Sequence, residues 1–289
     1  MDVFENAVGL LPAELREACR KYKSSAVEEI RLRQGQNPTV VVGCTEKAFS
    51  MEKVDKTMIE TVLERASAAS LHAHMDELAR GYLNYKGLRL GFGATAVIRH
   101  GQAPTFKDFS SVSIRIPAVF SGDISALFRV LQRDGLGNIL IVSPPGGGKT
   151  TLLRELVRRF SDMGRRIALV DERNEIAASV QGVFGFDVGS HTDVICGMDK
   201  KEAAMLLLRG MNPHMIALDE ISRGEDMEAV FTIAGCGVNI MATVHGRSPA
   251  ELRKRELYRK LLDEHIFTDC ICIDNSHQGR EYSYVRLKA

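Results

Sequence analysis

The sequence lacks an excess of charge of either sign, since 38 lysines and arginines balance 37 aspartates and glutamates to a formal net charge of +1. A protein built mainly to bind nucleic acid usually presents a strongly basic surface. The composition excludes such a global field and leaves one local basic stretch, Arg247 to Lys260, whose simpler interpretation is the solvated face of a helix. We therefore expect no nucleic-acid partner.

Long apolar runs are also absent from the sequence, and none approaches the roughly 18 to 20 residues that a helix needs to span a bilayer. The N-terminal stretch MDVFENAVGLLPAEL starts with acidic residues and has no basic region before its short apolar run. A secretory signal has the opposite order, so we expect a protein that stays in the cytosol.

Cysteine is scarce, and only Cys270 and Cys272 of the six cysteines are close together in sequence. A structural zinc site would need a second pair at a matching distance. The alternation of cysteine with isoleucine at this place is typical of one face of a strand. We expect buried, reduced thiols.

The most informative stretch that is present runs from Asn138 to Phe160, NILIVSPPGGGKTTLLRELVRRF. A short apolar run, a glycine loop and apolar residues at helical spacing predict a strand, a loop and a helix. Adjacent glycines let the backbone turn its N–H groups towards a polyphosphate at the start of the helix. The residues predicted to bind ATP are Ser143, Pro144, Pro145, Gly146, Gly147, Gly148, Lys149, Thr150 and Thr151.

Two side chains of this loop have separate predicted roles. Lys149 would reach the β- and γ-phosphates, and the hydroxyl of Thr150 would ligate Mg²⁺. Ser143 stands where the pattern GxxxxGK[ST] usually has its first glycine. That position tolerates a small residue, so the pattern still indicates a nucleotide-binding loop.

Beyond the loop, predicted strands at 166–170, 215–218 and 238–243 alternate with predicted helices at 200–210 and 225–234. A helix over 248–262 and strands near 268–274 and 282–287 follow. Strands that alternate with helices form a parallel sheet, which binds its ligand at the carboxyl ends of the strands.

Acidic residues and a histidine follow these strands. Asp219 and Glu220 form a Walker B element, in which a carboxylate holds Mg²⁺ through water and a second one orients or deprotonates the attacking water. Asp171, Glu172 and Glu175 form a second acidic group, and spacing does not decide whether this group or Glu220 is the general base. At a third strand end, Thr243 and His245 could donate to the γ-phosphate. The catalytic candidates among them are Glu220, Asp171, Glu172, Glu175 and His245, and Asp219 is, with Thr150, a predicted Mg²⁺ ligand.

The first 120 residues mix helices and strands without this alternation, which predicts a separate α+β domain with a boundary near residue 120. The predicted helices lie at 12–23, 55–69 and 73–83. The predicted strands are VEEIRLRQ and PTVVVG, joined as a hairpin, and the runs 88–99 and 112–116. Arg89 and Arg115 in these runs either lie on a solvated strand face or supply positive charge to a bound nucleotide.

Downstream of SPPGGGKTT, the stretches VDERNE, LLRGMNPHMIALDEISRGED and MATVHG follow in that order. Together they resemble the Walker A motif, acidic box, Walker B motif and histidine box of the type II and type IV secretion ATPases. The stretches VEEIRLRQGQNPTVVV and GLRLGFGATAVIR, with VSIRIPA after them, look like the stage III sporulation protein AA family of endospore formers, a member of that superfamily. The resemblance covers nearly the whole chain.

This resemblance implies an α/β protein in which a smaller N-terminal α+β domain (1–120) precedes a RecA-like P-loop ATPase domain (121–289). It implies a homo-oligomer, a hexameric ring with ATP between subunits. It also implies a motor in the cytoplasm of the mother cell. Membrane proteins of the channel complex that connects mother cell and forespore would recruit this motor to the membrane.

By position, Asp171, Glu172 and Glu175 fall on the acidic box, which supplies the catalytic carboxylate in secretion ATPases. Glu220 falls on the Walker B glutamate and His245 on the histidine box. Asp219 stands where these ATPases often have glycine, which leaves the identity of the base open.

The region that provides arginine fingers in this superfamily contains Arg89 and Arg115.

The main hypothesis is Mg²⁺-dependent ATP hydrolysis that drives assembly of, or transport through, a secretion-like channel. A nucleic-acid-dependent ATPase of the RecA or helicase kind is a second hypothesis. A nucleotide-binding scaffold with little turnover is a third, although the acidic residues argue against it.

Overall fold

The computed structural model describes residues 3–22, 27–42, 45–67, 75–79, 81–98, 104–117, 123–133, 137–180, 182–276 and 279–287. The helices within these ranges are α1 (Val3–Leu10), α2 (Ala13–Arg20), α3 (Lys56–Ala66), α4 (Met75–Ala79), α5 (Ser125–Arg133), α6 (Lys149–Asp162), α7 (Lys200–Met211), α8 (Gly224–Gly235), α9 (Pro249–Leu252) and α10 (Glu256–Asp263). The strands are β1 (Val27–Arg33), β2 (Thr39–Val42), β3 (Thr45–Ala48), β4 (Tyr82–Tyr85), β5 (Leu88–Val97), β6 (Thr105–Arg115), β7 (Ile139–Ser143), β8 (Ile167–Asp171), β9 (Ser179–Val180), β10 (Val183–Phe184), β11 (Thr192–Cys196), β12 (Met215–Glu220), β13 (Asn239–His245), β14 (Asp269–Ser276) and β15 (Gly279–Arg286).

The chain forms two compact units. The first unit comprises Met1–Val119 with Ala178–Phe186, and the second comprises Phe120–Ala177 with Asp187–Ala289. The predicted boundary near residue 120 falls at 118–122, outside the described residues. The short β9–β10 hairpin, which the sequence assigns to the C-terminal domain, belongs to the first unit.

Close backbone packing fixes this hairpin within the first unit. The N–H of Gly185 donates to the carbonyl of Ala178 at 3.1 Å. A Cβ atom at Gly185 would lie 2.5 Å from the backbone nitrogen of Gly87 in the turn between β4 and β5. Glycine is therefore required at residue 185, because any side chain would push the two backbones apart.

The first unit is built on a six-stranded antiparallel sheet in the order β3-β2-β1-β6-β5-β4. Ile30, Ile114 and Leu90 are register partners across β1, β6 and β5, and all three are completely buried. One face of the sheet therefore packs into a core with the helices. The predicted mixture of helices and strands is confirmed in this unit.

Three details of the first unit differ from the sequence-based expectation. The helix predicted over 73–83 is wrong at its end, because α4 stops at Ala79 and the strand β4 begins at Tyr82. Gly81 has a φ of +83°, which breaks a right-handed helix. Helix α1 and strand β3 were not predicted. All four residues of β3 are exposed, so this strand carries no hydrophobic alternation.

The second unit is built on a seven-stranded sheet in the order β11-β8-β12-β13-β7-β14-β15. All adjacent strands pair in parallel except β15, which is antiparallel to β14. Alternate residues of β7 enter opposite cores, with Leu140 and Val142 on one side and Ile139 and Ile141 on the other. A sheet buried on both faces is the α/β architecture that the alternation of strands and helices predicts.

The second unit differs from the sequence-based prediction in two places: strand β11 was not predicted, and one predicted helix is two helices. Strand β11 is only half-buried along its length and mixes polar with apolar residues, so its pattern is weak. The helix predicted over 248–262 is two helices, α9 and α10, separated by a turn after Leu252. No helix among the described residues is both long and apolar enough to cross a membrane.

Candidate nucleotide-binding site

The carboxyl ends of three adjacent strands bring the loop and the Walker B element together. Strand β13 lies between β7 and β12. His245 at the end of β13 is in register with Ser143 at the end of β7, and Thr243 is in register with Glu220 at the end of β12. Parallel pairing therefore places the predicted phosphate loop, histidine and glutamate at one edge of the sheet.

The glycine loop has the backbone of an anion cradle. Gly146 and Gly148 have φ values of +72° and +95°, a conformation that side chains disfavour. A Cβ atom at Gly147 would lie 1.7 Å from Oγ of Ser143, so the loop has no room for one. Helix α6 begins directly at Lys149 and directs its unpaired N–H groups and positive dipole end to the loop.

The other predicted loop residues differ in how deeply they are buried. Ser143 is completely buried, and its hydroxyl donates to the carbonyl of Pro144 at 3.1 Å. A small hydroxyl side chain thus fits where the usual pattern has glycine. Pro145 is exposed, and Thr150 and Thr151 are half-buried in the first turn of α6. Oxygen and backbone groups of the kind that polyphosphate and Mg²⁺ require are present, so the cradle fits both.

Three predicted side chains form a continuous chain beside the loop. Nζ of Lys149 lies 2.8 Å from Nδ1 of His245, and Nε2 of the same imidazole lies 2.8 Å from Oε2 of Glu220. Burial lowers the pKa of the Lys149 ammonium, and the nearby charge of Glu220 partly offsets this effect. The arrangement places a buried ammonium, an imidazole ring and a carboxylate in contact with one another.

Asp171, one member of the acidic group, is occupied by backbone contacts. Its carboxylate is completely buried and accepts N–H bonds of 2.8 to 2.9 Å from Glu175, Ile176 and Ala177. Arg154 donates to the carbonyls of Glu175 and Ile176 from the other side of the same turn, at 2.7 and 2.6 Å. Burial raises the pKa of Asp171, against the effect of these bonds. This position favours a structural role for Asp171, whereas the side chain of Glu175 is exposed.

A buried lysine that the sequence did not single out joins Glu172 to Asp219. Nζ of Lys200 contacts Glu172 Oε2, and it lies 3.0 Å from Asp219 Oδ1 and 3.2 Å from Asp226 Oδ1. Arg223 contacts the other oxygen of Glu172 at 2.8 Å. Burial raises the pKa of Asp219 to about 6, although Lys200 acts in the opposite direction. We call Lys200, Glu172, Asp219, Asp226 and Arg223 the Lys200 cluster.

Arg89 and Arg115 are register partners on the polar face of the first unit's sheet. Arg115 lies 4.0 Å from the buried carboxylate of Glu29, which also pairs with Arg31 at 2.9 Å. The guanidinium of Arg89 lies over the ring of Tyr82, 4.0 Å from its centre. These five residues line a cavity of about 500 Å³. The sequence identified two of the four arginines that line this cavity and missed Arg31 and Arg33. Both alternate with apolar residues in β1, and this alternation is the signal that places them on this face.

The basic stretch from Arg247 to Lys260 makes local ion pairs. Arg253 lies 3.1 Å from Asp263, and Arg255 lies 2.7 Å from Glu251.

The described residues contain no group of three or more His, Cys, Asp or Glu side chains arranged to hold a metal ion. Sγ of Cys270 lies 3.8 Å from Sγ of Cys272, with both residues on one face of β14 and in thiol form.

Comparison with known proteins identifies relatives of this fold and sequence. Stage III sporulation protein AA of Bacillus subtilis (strain 168) is 30% identical over 268 residues, which cover 89% of this chain and 87% of the relative. The ATPase DotB of Legionella pneumophila has a similar structure, with a TM-score of 0.64 and 15% identity over 96% of this chain and 82% of that one.

The pilus retraction motor PilT, solved with bound ADP, is similar with a TM-score of 0.62 and 15% identity, over 94% of this chain and 83% of that one. The predicted RecA-like fold with an N-terminal α+β part is thereby confirmed, because these secretion ATPases share the fold over nearly the whole chain. The family described as "Sporulation stage III, protein AA" matches residues 3–284. The chain belongs to that sporulation family and has the fold of the secretion ATPases.

Proposed function

We propose that this protein hydrolyses ATP with Mg²⁺ at the strand ends of its second unit. Turnover would drive assembly of, or transport through, a secretion-like channel between mother cell and forespore. The observation that carries the proposal is the chain from Lys149 through His245 to Glu220 beside the glycine loop. An ammonium, an imidazole and a carboxylate at a phosphate cradle are the groups that phosphoryl transfer requires.

The cradle and the residues around it would bind the nucleotide. The N–H groups of Gly146 to Gly148 and the start of α6 would donate to phosphate oxygens, and Lys149 would move from His245 to the β- and γ-phosphates. Mg²⁺ would neutralise negative charge on the phosphates. Thr150 would hold it directly and Asp219 through water.

Glu220 is the carboxylate that we assign to the attacking water. It stands at the end of β12 with one oxygen on His245, which leaves the second oxygen available to accept a proton or a hydrogen bond from water. His245 would orient Glu220 through Nε2 and would contact the γ-phosphate once Lys149 has moved. Glu172 is the second candidate from the acidic group. Asp171 and Glu175 would serve the turn that supports it.

Arg89 and Arg115 would supply positive charge to the transferring phosphate. Their side chains lie on one sheet face with Arg31, and the residues that line the cavity include four arginines against one buried carboxylate, Glu29, so the cavity is rich in positive charge. Guanidinium groups stabilise the charge that develops on the γ-phosphate oxygens. We propose that they act on a nucleotide bound by another subunit.

The assembly would be a homo-oligomer, with a hexameric ring as its expected form. Membership of a sporulation family and the fold shared with DotB and PilT support this proposal. In the cell, the ring would lie in the mother-cell cytoplasm and associate with membrane proteins of the channel complex.

Steady-state ATPase activity tests the proposal, with Lys149→Ala and Glu220→Gln as variants. We expect Mg²⁺-dependent phosphate release by the wild-type protein, none by Lys149→Ala, and a rate lower by about 100-fold or more for Glu220→Gln. Hydrolysis that requires DNA or RNA and weakens with salt would instead support a nucleic-acid-dependent ATPase. Nucleotide binding without turnover under any of these conditions would support a scaffold.

A further inference from the structure

Lys200 is buried in the second unit in a way that its position in sequence does not suggest. It is the first residue of α7, where a lysine would ordinarily extend into water, yet only 4% of its side chain is exposed. Its ammonium contacts carboxylates from three elements: Glu172 after β8, Asp219 in β12 and Asp226 in the first turn of α8. Removing an ammonium from water costs free energy unless the charge is paired, and contacts with these three carboxylates offset that cost.

The side chains of two neighbouring residues of β12, Asp219 and Glu220, contact different partners. Asp219 faces Lys200, whereas Glu220, the next residue, contacts His245 at the glycine loop. The pairing of β12 with β13 shifts its register between Leu218 and Glu220, so the strand is irregular at this point. A backbone bond of 2.8 Å from the N–H of Ile221 to the carbonyl of Thr243 is one restraint on this strand end. The ion pair on Asp219 supplies a second restraint on the direction of Glu220.

Glu172, the second candidate carboxylate, depends on the same ammonium. Lys200 and Arg223 each contact one of its oxygens. Burial opposes ionisation of Glu172, but the hydrogen bond and charge of Lys200, with those of Arg223, hold its pKa below the usual value. Lys200 therefore restrains both candidate strand ends, after β8 and in β12.

We propose that Lys200 is a positioning residue for ATP hydrolysis, which holds Asp219 at the end of β12 so that Glu220, the next residue, is directed to the phosphate cradle. This inference rests on the proposed ATPase function. Lys200 itself contacts neither the glycine loop residue Lys149 nor His245 in the contacts described, so its effect would pass through the carboxylates. Small displacements of a catalytic group lower the rate by up to about 100-fold.

The matched control is Lys201, the next residue of the same helix. Lys201 pairs with Glu228 at 2.9 Å, but about half of its side chain is exposed, and neither residue belongs to the Lys200 cluster. Loss of that exposed pair has little energetic effect. Lys200→Met and Lys201→Met thus remove the same charge from adjacent positions of α7.

The experiment measures kcat and KM for ATP, equilibrium binding of mant-ATP, and thermal unfolding for wild type, Lys200→Met, Lys200→Arg and Lys201→Met. We expect Lys200→Met to lower kcat by about 10- to 100-fold while the Kd for mant-ATP changes by less than about threefold. Lys200→Arg should recover part of kcat, because it restores the cation. Lys201→Met should keep the wild-type values.

Asp219→Asn provides a second route if Lys200→Met does not fold. It removes the partner through which Lys200 acts, so at saturating Mg²⁺ it should lower kcat with unchanged mant-ATP binding, and the variant with both changes should be no slower than the slower single variant. A kcat that excess Mg²⁺ restores to the wild-type value would reflect only the proposed Mg²⁺ contact of Asp219 and would also overturn the inference. A folded Lys200→Met protein with wild-type kcat, or one that loses mant-ATP binding in proportion to kcat, overturns the inference. Where Lys200→Met does not fold, wild-type kcat in Asp219→Asn overturns it. A wild-type protein without turnover refutes the proposed ATPase function instead.

Discussion

Nε2 of His245 lies 2.8 Å from Oε2 of Glu220, across two adjacent parallel strands of the second unit. The other ring nitrogen lies 2.8 Å from the ammonium of Lys149. The imidazole therefore couples the residue that would bind phosphate to the residue that would activate water. If Lys149 moves to a phosphate as proposed, His245 would lose one neighbour and keep its contact with Glu220.

Glu220→Gln should separate binding from hydrolysis. The amide can still accept a hydrogen bond from His245, but it cannot take a proton, so we expect kcat to fall by about 100-fold or more while the Kd for ATP stays within about threefold. Phosphate release and mant-ATP titration measure the two quantities. Glu172→Gln is the matched control in the acidic group. A loss of turnover confined to Glu172→Gln would make Glu172 the general base.

Gly147→Ala should block the phosphate cradle by steric contact alone. The added Cβ would lie 1.7 Å from Oγ of Ser143 and 3.0 Å from the carbonyl oxygen of Pro144. The Ser143 hydroxyl would have to rotate and the loop backbone to shift, so we expect ATP affinity to fall by at least about tenfold, or about 1.4 kcal/mol. Gly210→Ala in α7 is the control, since a Cβ there meets nothing within 4 Å. That change should keep ATP binding and raise the free energy of unfolding by up to about 1 kcal/mol. Equal affinity of Gly147→Ala and wild type would contradict the cradle.

Arg115→Ala tests whether the arginines of the first unit act across a subunit boundary. Alone, this variant and Lys149→Ala should each be nearly inactive. A mixture of the two contains pairs in which one subunit supplies Lys149 and its neighbour supplies Arg115, so we expect part of the activity to return. Activity is measured by phosphate release at a fixed total concentration over a series of mixing ratios. Arg115→Ala with full activity on its own would contradict an arginine finger at this residue.

The charge of Asp226 should make stability depend on pH. Burial alone would raise its pKa, but N–H bonds from Ser222 and Arg223 and the charge of Lys200 lower it below the usual 3.8. Since the folded pKa is the lower one, the stabilisation is present above pH 3.8 and is lost as pH falls through the folded value. Asp226→Asn should therefore lower the free energy of unfolding by about 1 to 3 kcal/mol at pH 7.

Urea unfolding of wild type and Asp226→Asn from pH 7 down to acid conditions measures this difference. The gap in the free energy of unfolding should stay constant to about pH 4 and then narrow as wild-type Asp226 takes up its proton. A gap that is independent of pH would show that the lost contact, and not the charge, causes the destabilisation.

The glycine loop could be predicted from the sequence because the residues that define it are consecutive. The apolar strand, the glycines and the helix between Asn138 and Phe160 are consecutive, and Glu220 and His245 each follow an apolar strand whose end is visible in the pattern. Parallel pairing of such strands then brings their ends together without further information. The sequence could therefore predict this part of the site residue by residue.

The remaining features depend on contacts between distant residues. Lys200 looks like a surface residue at the start of a helix, and its three carboxylate partners come from separate elements. The structural position of Asp171 depends on how the turn up to Ala177 folds back on it. The β9–β10 hairpin joins the first unit through a glycine contact that no periodicity reports. Long-range packing of this kind leaves no pattern in a single sequence.

The most direct test of the central claim is steady-state phosphate release with ATP and Mg²⁺ over a concentration series of the wild-type protein, beside Lys149→Ala. We predict that specific activity rises with protein concentration, because arginines from one subunit would complete the site of another, and that Lys149→Ala is inactive throughout. Equal activity of Lys149→Ala and wild type would contradict ATP hydrolysis at the glycine loop. Specific activity independent of concentration, with Lys149→Ala inactive, would contradict the shared site while keeping the enzyme.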